Sequence, residues 1–164
     1  MKRWIGLAAR LVVGVVDVAA GLSKLPDPAG TVRSVRAFDL LPESVVPTVG
    51  HLLPIVEIVI GAMLILGLLT RGFAALSVLF YLAFIIGISS AWARGLEINC
   101  GCFGNGGVPA DPHRQYAIDL ARDLGLLLCS VWLVVWPRTR LALDHLLFPS
   151  TERLADGEER QVQV

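Results

Sequence analysis

The sequence predicts an all-α protein: a four-helix transmembrane bundle, with a short interfacial helix between the first two spans. Three observations carry that expectation. The 164-residue chain is 55% hydrophobic and 17% charged, whereas soluble domains are about 45–50% apolar and about 25% charged. Its mean hydropathy is +0.68, and most of the excess lies in four apolar runs near the roughly 17–25 residues that cross a bilayer. Between those runs there is no period-two alternation of the strand kind. The formal net charge of +0 leaves no basic footprint for nucleic acid.

The first run, Trp4 to Leu22, follows Lys2 and Arg3. A cleaved signal peptide is the competing reading, but Arg10 and Asp17 interrupt the apolar stretch, which a signal core rarely permits. Pro26 and Pro28 then stop the helix. From Thr31 to Leu41, Val32, Val35 and Phe38 alternate with Arg33, Arg36 and Asp39, which suits a short interfacial helix or an ordered loop. The second run is Val46 to Leu69, with Pro54 and Glu57 inside it. Thr70-Arg71-Gly72 reads as the turn of a tight hairpin into the third run, Phe73 to Trp92. A Gly- and Pro-rich loop holding Cys100 and Cys102 leads to the fourth run, Tyr116 to Trp136, which Pro137 stops. Residues 1–140 thus form one membrane domain, and 141–164 a disordered polar tail.

Four spans put both termini on one side. Lys2, Arg3, Arg71, Arg138, Arg140, Arg153 and Arg160 share it, and Lys24, Arg33, Arg36, Arg94 and Arg114 share the other. The positive-inside rule then places the termini and the tail in the cytoplasm and the cysteine loop outside the plasma membrane. Disulfides persist there.

Charged groups within a bilayer cost about 2.5–3.5 kcal/mol each on insertion scales, so they turn to the bundle interior. Depth along the runs brings Asp17, Lys24, Glu57, Asp119, Arg122 and Asp123 together beneath the loop. Asp119 and Arg122, three apart, share a helix face and can pair. One reading is a proton-handling pocket with Glu57 or Asp17 as the proton carrier. The other is a set of interhelical salt bridges that fixes the bundle.

Cys100 and Cys102 flank Gly101, and Cys129 is the third cysteine. A disulfide needs Cα atoms roughly 4.4–6.8 Å apart, which residues i and i+2 reach at a turn that glycine permits. Its small ring would be strained, and strained bridges are the exchanging kind. It closes almost no loop, so fold stability is a poor reason for it. The helix that follows favours a thiolate at its N-terminus. A structural zinc wants four ligands; His113 is the only nearby histidine, the set is incomplete, and no metal is assigned. Inert loop cysteines remain a third reading. Cys129, among Leu126, Leu127 and Leu128, reads as a buried inert thiol.

Four stretches occur in order along the chain: Gly21-Leu-Ser-Lys-Leu-Pro-Asp-Pro28, Leu41-Pro42, Pro54-Ile-Val-Glu57 and Cys100-Gly-Cys-Phe-Gly104. Through them the chain resembles the MauE branch of the DoxX-like membrane proteins, the methylamine-utilisation MauE family. The resemblance covers the first three helices, the cysteine loop and the start of the fourth. It implies a redox-associated multi-pass protein of extracytoplasmic thiol chemistry. The family's name-giving member is linked to maturation of the disulfide-rich small subunit of methylamine dehydrogenase. The architecture is also similar to the quinone-coupled vitamin K epoxide reductase bundle. That family uses a CxxC pair with further loop cysteines, and this chain has neither.

The leading expectation is a thiol-disulfide oxidoreductase whose Cys100–Cys102 pair exchanges with a thioredoxin-like or secreted client. A quinone held among the helices would accept its electrons. The alternatives are a non-catalytic membrane scaffold, or a small transporter built on the Glu57 and Arg122 pocket.

Overall fold

A computed structural model describes residues 2–96, 98 and 111–136. Those residues form five helices and no strand: α1 (Lys2–Lys24), α2 (Pro28–Ala37), α3 (Val46–Leu66), α4 (Thr70–Ala93) and α5 (Pro112–Val135). Helices α1, α3 and α4 are long and apolar enough to cross a membrane. Helix α5 is as long as α4, at 24 residues, but Arg114, Asp119, Arg122 and Asp123 keep it out of that apolar set.

The stop after the first run is also a restart. Helix α1 ends at Lys24, and Asp27 caps α2 by accepting the Gly30 amide at 2.8 Å, with Pro28 in the first turn. The mixed stretch at Thr31 is thus a helix, ending at Ala37 rather than Leu41. Its inner residues Gly30, Thr31 and Val32 are buried, and α2 packs on α3. A Cβ placed on Gly50 would sit 2.7 Å from the Val32 Cα, so the two backbones nearly touch.

The hairpin turn differs from the sequence expectation. Thr70, Arg71 and Gly72 form the first turn of α4, and the link is Gly67–Leu69. Gly67 takes the left-handed conformation at φ 70. Its amide bonds to the Leu64 carbonyl at 3.1 Å, and the Leu68 amide to that of Met63 at 3.0 Å. This closure asks for a glycine just past the last helical turn, where Gly67 stands. The fourth run also starts earlier than expected, because Asp111 caps α5 through the Arg114 amide at 3.1 Å.

Two antiparallel pairings dominate, α1 with α3 and α4 with α5; α1 meets α5, and α3 meets α4, over smaller areas. The α1–α3 contact runs on small residues. A Cβ on Gly61 would lie 2.5 Å from the Gly14 carbonyl oxygen, and one on Gly21 would lie 2.7 Å from that of Pro54. Such close approach, with little side chain between, is the usual way helices associate where lipid removes the hydrophobic drive.

Polarity is distributed inside out. Leu79, Ile86 and Leu128 are each more than 60% exposed on the outer faces. The interior holds Arg10, Asp17, Lys24, Glu57, Asp119 and Asp123. Around these pack Val13, Ile60, Leu64, Tyr81, Leu126 and Leu133 in one apolar cluster, and Ile88 and Tyr116 in another. A bilayer selects this arrangement, because outward side chains meet hydrocarbon and charge must find charge inside.

Candidate functional site

The ions at the centre come from three helices, α1, α3 and α5, and α4 adds a tyrosine hydroxyl. Lys24 ends α1 and donates to both carboxylate oxygens of Glu57, in the middle of α3, at 2.6 and 2.7 Å. Both side chains are almost fully buried. About two turns earlier on α1, Asp17 accepts a hydrogen bond from the Tyr81 hydroxyl of α4. On α5, Arg122 binds Asp119 at 2.9 Å and Asp123 at 2.8 Å. Adjacent residues do not share a helix face, yet the guanidinium fork is long enough to take both carboxylates. Gln115 adds a hydrogen bond to Asp119 at 3.2 Å.

Beside these groups is a small cavity of about 20 Å3, lined by Asp17, Glu57, Tyr81, Arg122 and Asp123 with apolar walls from Phe80 and Phe84. That volume admits about one water molecule. Oδ2 of Asp17 and Oδ2 of Asp123 are buried without a hydrogen-bond partner.

A larger apolar cavity of about 420 Å3 lies between α2, α3 and α4, lined by Phe38, Leu41, Leu53, Phe80 and Phe84. Lys24, Thr31 and Ser34 supply its few polar groups.

Near the cysteine-bearing segment, Tyr116 of α5 donates to the Leu96 carbonyl at 2.6 Å and accepts the Ile98 amide at 3.0 Å. The Trp92 indole N–H donates to His113 Nδ1 at 2.9 Å. Arg94 Nη2 reaches the Phe38 carbonyl and ties the end of α4 to the end of α2. Cys100 and Cys102 lie outside the described residues. Cys129 is a free thiol on α5, half-buried against the core. Among the described residues, no three His, Cys, Asp or Glu side chains gather as a metal site would require.

Of the residues expected in the polar cluster, Lys24 meets Glu57 and Asp119 meets Arg122, while Asp17 meets neither cation within ion-pair distance among the described residues. One participant, Tyr81, has no part in the sequence-based site, and another, Asp123, has no partner there. Tyr81 could have been found from its place: a tyrosine far from the interface, inside an apolar run, needs a buried partner for its hydroxyl. Asp123 was placed among the buried charges but given no role, because its link to Arg122 breaks the usual helix spacing.

Fold and site together define a multi-pass helical membrane protein with charged groups in its interior. The chain belongs to the family described as methylamine utilisation protein MauE, whose model matches residues 2–136. It is similar to the methylamine utilization protein MauE of Paracoccus denitrificans, 33% identical over 100 residues, which cover 60% of this chain and 54% of that protein. The chain thus matches about half the length of this curated relative. No solved structure matches it.

Proposed function

We propose that this protein is a four-span plasma-membrane protein of methylamine utilisation that serves extracytoplasmic thiol-disulfide chemistry through Cys100 and Cys102. Membership of the MauE family, with the Cys-Gly-Cys pair in the segment joining α4 to α5, is the observation that carries this reading. Helix α5 supports the fourth span. At 24 residues and about 1.5 Å per residue it is about 36 Å long. Its charges Asp119 and Asp123 are buried, while Ile118, Leu124, Leu128, Val131 and Val135 face outward. Four spans set both termini and the 141–164 tail in the cytoplasm and the loop outside.

In this reading, a disulfide between Cys100 and Cys102 is attacked by a thiolate of a thioredoxin-like or secreted client. A mixed disulfide forms, and the client's second thiolate displaces the loop sulfur. The client gains a disulfide, and the pair becomes a dithiol holding the two electrons. A quinone fits the second cavity in size and in its apolar walls, with Lys24, Thr31 and Ser34 to meet a polar head group. Bound there, it would take the two electrons and two protons that restore the disulfide. Proton handling falls to Asp17, whose second oxygen is open, while Glu57 holds Lys24.

Thiol trapping on intact cells tests the reading, with a membrane-impermeant alkylating reagent applied before and after mild reduction. Labelling of Cys100 and Cys102 only after reduction is the expected result. Labelling without reduction shifts the assignment to a scaffold, and none under either condition removes the outward topology. Replacing both cysteines by serine should abolish client oxidation, whereas a transporter built on the Glu57 and Arg122 pocket would keep its activity.

A further inference from the structure

We propose that the small cavity among Asp17, Glu57, Tyr81, Arg122 and Asp123 is a proton-binding site, holding one proton through a single water between Asp17 and Asp123. The inference deepens the proton-handling part of the reading above but stands without its cysteine chemistry.

Three observations converge on it. Asp17 and Asp123 are 4% and 3% exposed, and each turns one carboxylate oxygen into the interior with no hydrogen-bond partner. Both line a cavity whose volume of about 20 Å3 suits one water. Such a water can donate to one open oxygen and exchange a proton with the other.

The charge arrangement then decides what is bound. From α3, Glu57 is satisfied on both oxygens by Lys24 of α1. From α5, the single Arg122 is shared by Asp119 and Asp123. From α4, Asp17 receives only the neutral Tyr81 hydroxyl. Arg10, seven residues before Asp17 on α1, is about two helical turns away along the axis. Four carboxyl groups, Asp17, Glu57, Asp119 and Asp123, therefore stand with two cations, Lys24 and Arg122, and of these Asp17, Glu57, Asp123 and Arg122 line the cavity. A bare carboxylate in apolar surroundings is relieved by neutralisation, and a proton fits a cavity of this size better than a metal ion with several oxygen ligands. Lys24 occupies the oxygens of Glu57, so the proton goes to the aspartates.

Infrared spectroscopy of the full-length protein in lipid nanodiscs, with carbon-13-labelled aspartate carboxyls, tests this directly. The expected result is one protonated carboxyl stretch at neutral pH that moves with the label and in heavy water. Asp17→Asn and Asp123→Asn should each abolish it, because either change removes one of the two competing negative groups. Tyr81→Phe should retain the band at higher frequency, since Asp17 loses its hydrogen-bond donor; this variant keeps the core volume and so serves if the asparagine variants fold poorly. Absence of the band in the unaltered protein overturns the proposal. So does its survival in either asparagine variant, an unmoved frequency in Tyr81→Phe, or a band that appears only when sodium is withdrawn. The Cys100→Ser, Cys102→Ser protein should keep the band in full even if client oxidation is lost, which separates this site from the thiol reading.

Discussion

Lys24 and Glu57, 33 residues apart in sequence, meet at 2.6 and 2.7 Å in the interior, with 2% and 3% of their side chains exposed. Each is tolerable there only because of the other. Desolvating two charges offsets most of their attraction, so the pair adds little net stability, but breaking it strands a buried ion. Its worth lies in fixing where α1 stops against α3.

The first prediction follows from that asymmetry. Glu57→Gln should destabilise the protein by roughly 3–5 kcal/mol, whereas Lys24→Met combined with Glu57→Leu should return close to the starting stability. Reversible unfolding in mixed micelles measures both. A double variant as unstable as the single one would show that the pair does more than balance charge.

The α1–α3 contact should fail at its narrowest point. Gly61→Val places side-chain carbons where the Gly14 carbonyl oxygen already stands, 2.5 Å from the first of them. Overpacking of this kind costs typically about 1–3 kcal/mol, and more where backbone must move. Gly72→Ala is the matched control, since nothing lies within 4 Å of its added carbon. It should be neutral or stabilising by about 0.5–1 kcal/mol. The same unfolding titration separates the two.

Tyr116→Phe should loosen the approach to the cysteine-bearing segment without disturbing the helices. The hydroxyl bonds to both Leu96 and Ile98, and losing a partner for a backbone group costs roughly 1 kcal/mol. Amide exchange at Ile98 should quicken about five- to tenfold, with exchange in α5 beyond Leu120 unchanged. Equal rates in the two proteins would mean that Tyr116 does not hold this segment.

Outside the spans, Arg36 and Glu43 give a pH-dependent clasp across the turn from α2 to α3. The hydrogen bond from Arg36 holds the Glu43 carboxyl below the usual carboxylate range. A lowered value in the folded protein means the clasp is whole above the ordinary glutamate range and fades as pH falls through the lowered value. Carboxyl NMR should show Glu43 titrating low in the unaltered protein and returning to the ordinary range in Arg36→Gln. An unchanged midpoint in that variant would dismiss the pairing.

Much of the architecture was legible in the residues. Runs of spanning length, the prolines at 26 and 28 and the glycines past the third run mark helices and their ends, because helix formation and termination depend on neighbours within a turn or two. The Asp119–Arg122 pair was legible for the same reason: a three-residue spacing puts both on one face. Boundaries were less so. Thr70 and Gly72 look like a turn, yet Gly67 stands where the left-handed closure is needed, and only the hydrogen bonds to Leu64 and Met63 distinguish the two.

By itself the sequence determined that the chain is helical, that charges such as Asp17 and Glu57 lie within its apolar runs, and that they must turn inward from lipid. It could not determine which charge meets which between helices. Only the tertiary structure decided that Lys24 closes on Glu57, that Tyr81 serves Asp17, and that Asp17 and Asp123 share one small cavity. The physical reason is that depth along a span is countable from sequence. Partner choice between helices depends instead on their rotation and spacing, which are set by contacts such as Gly14 against Gly61.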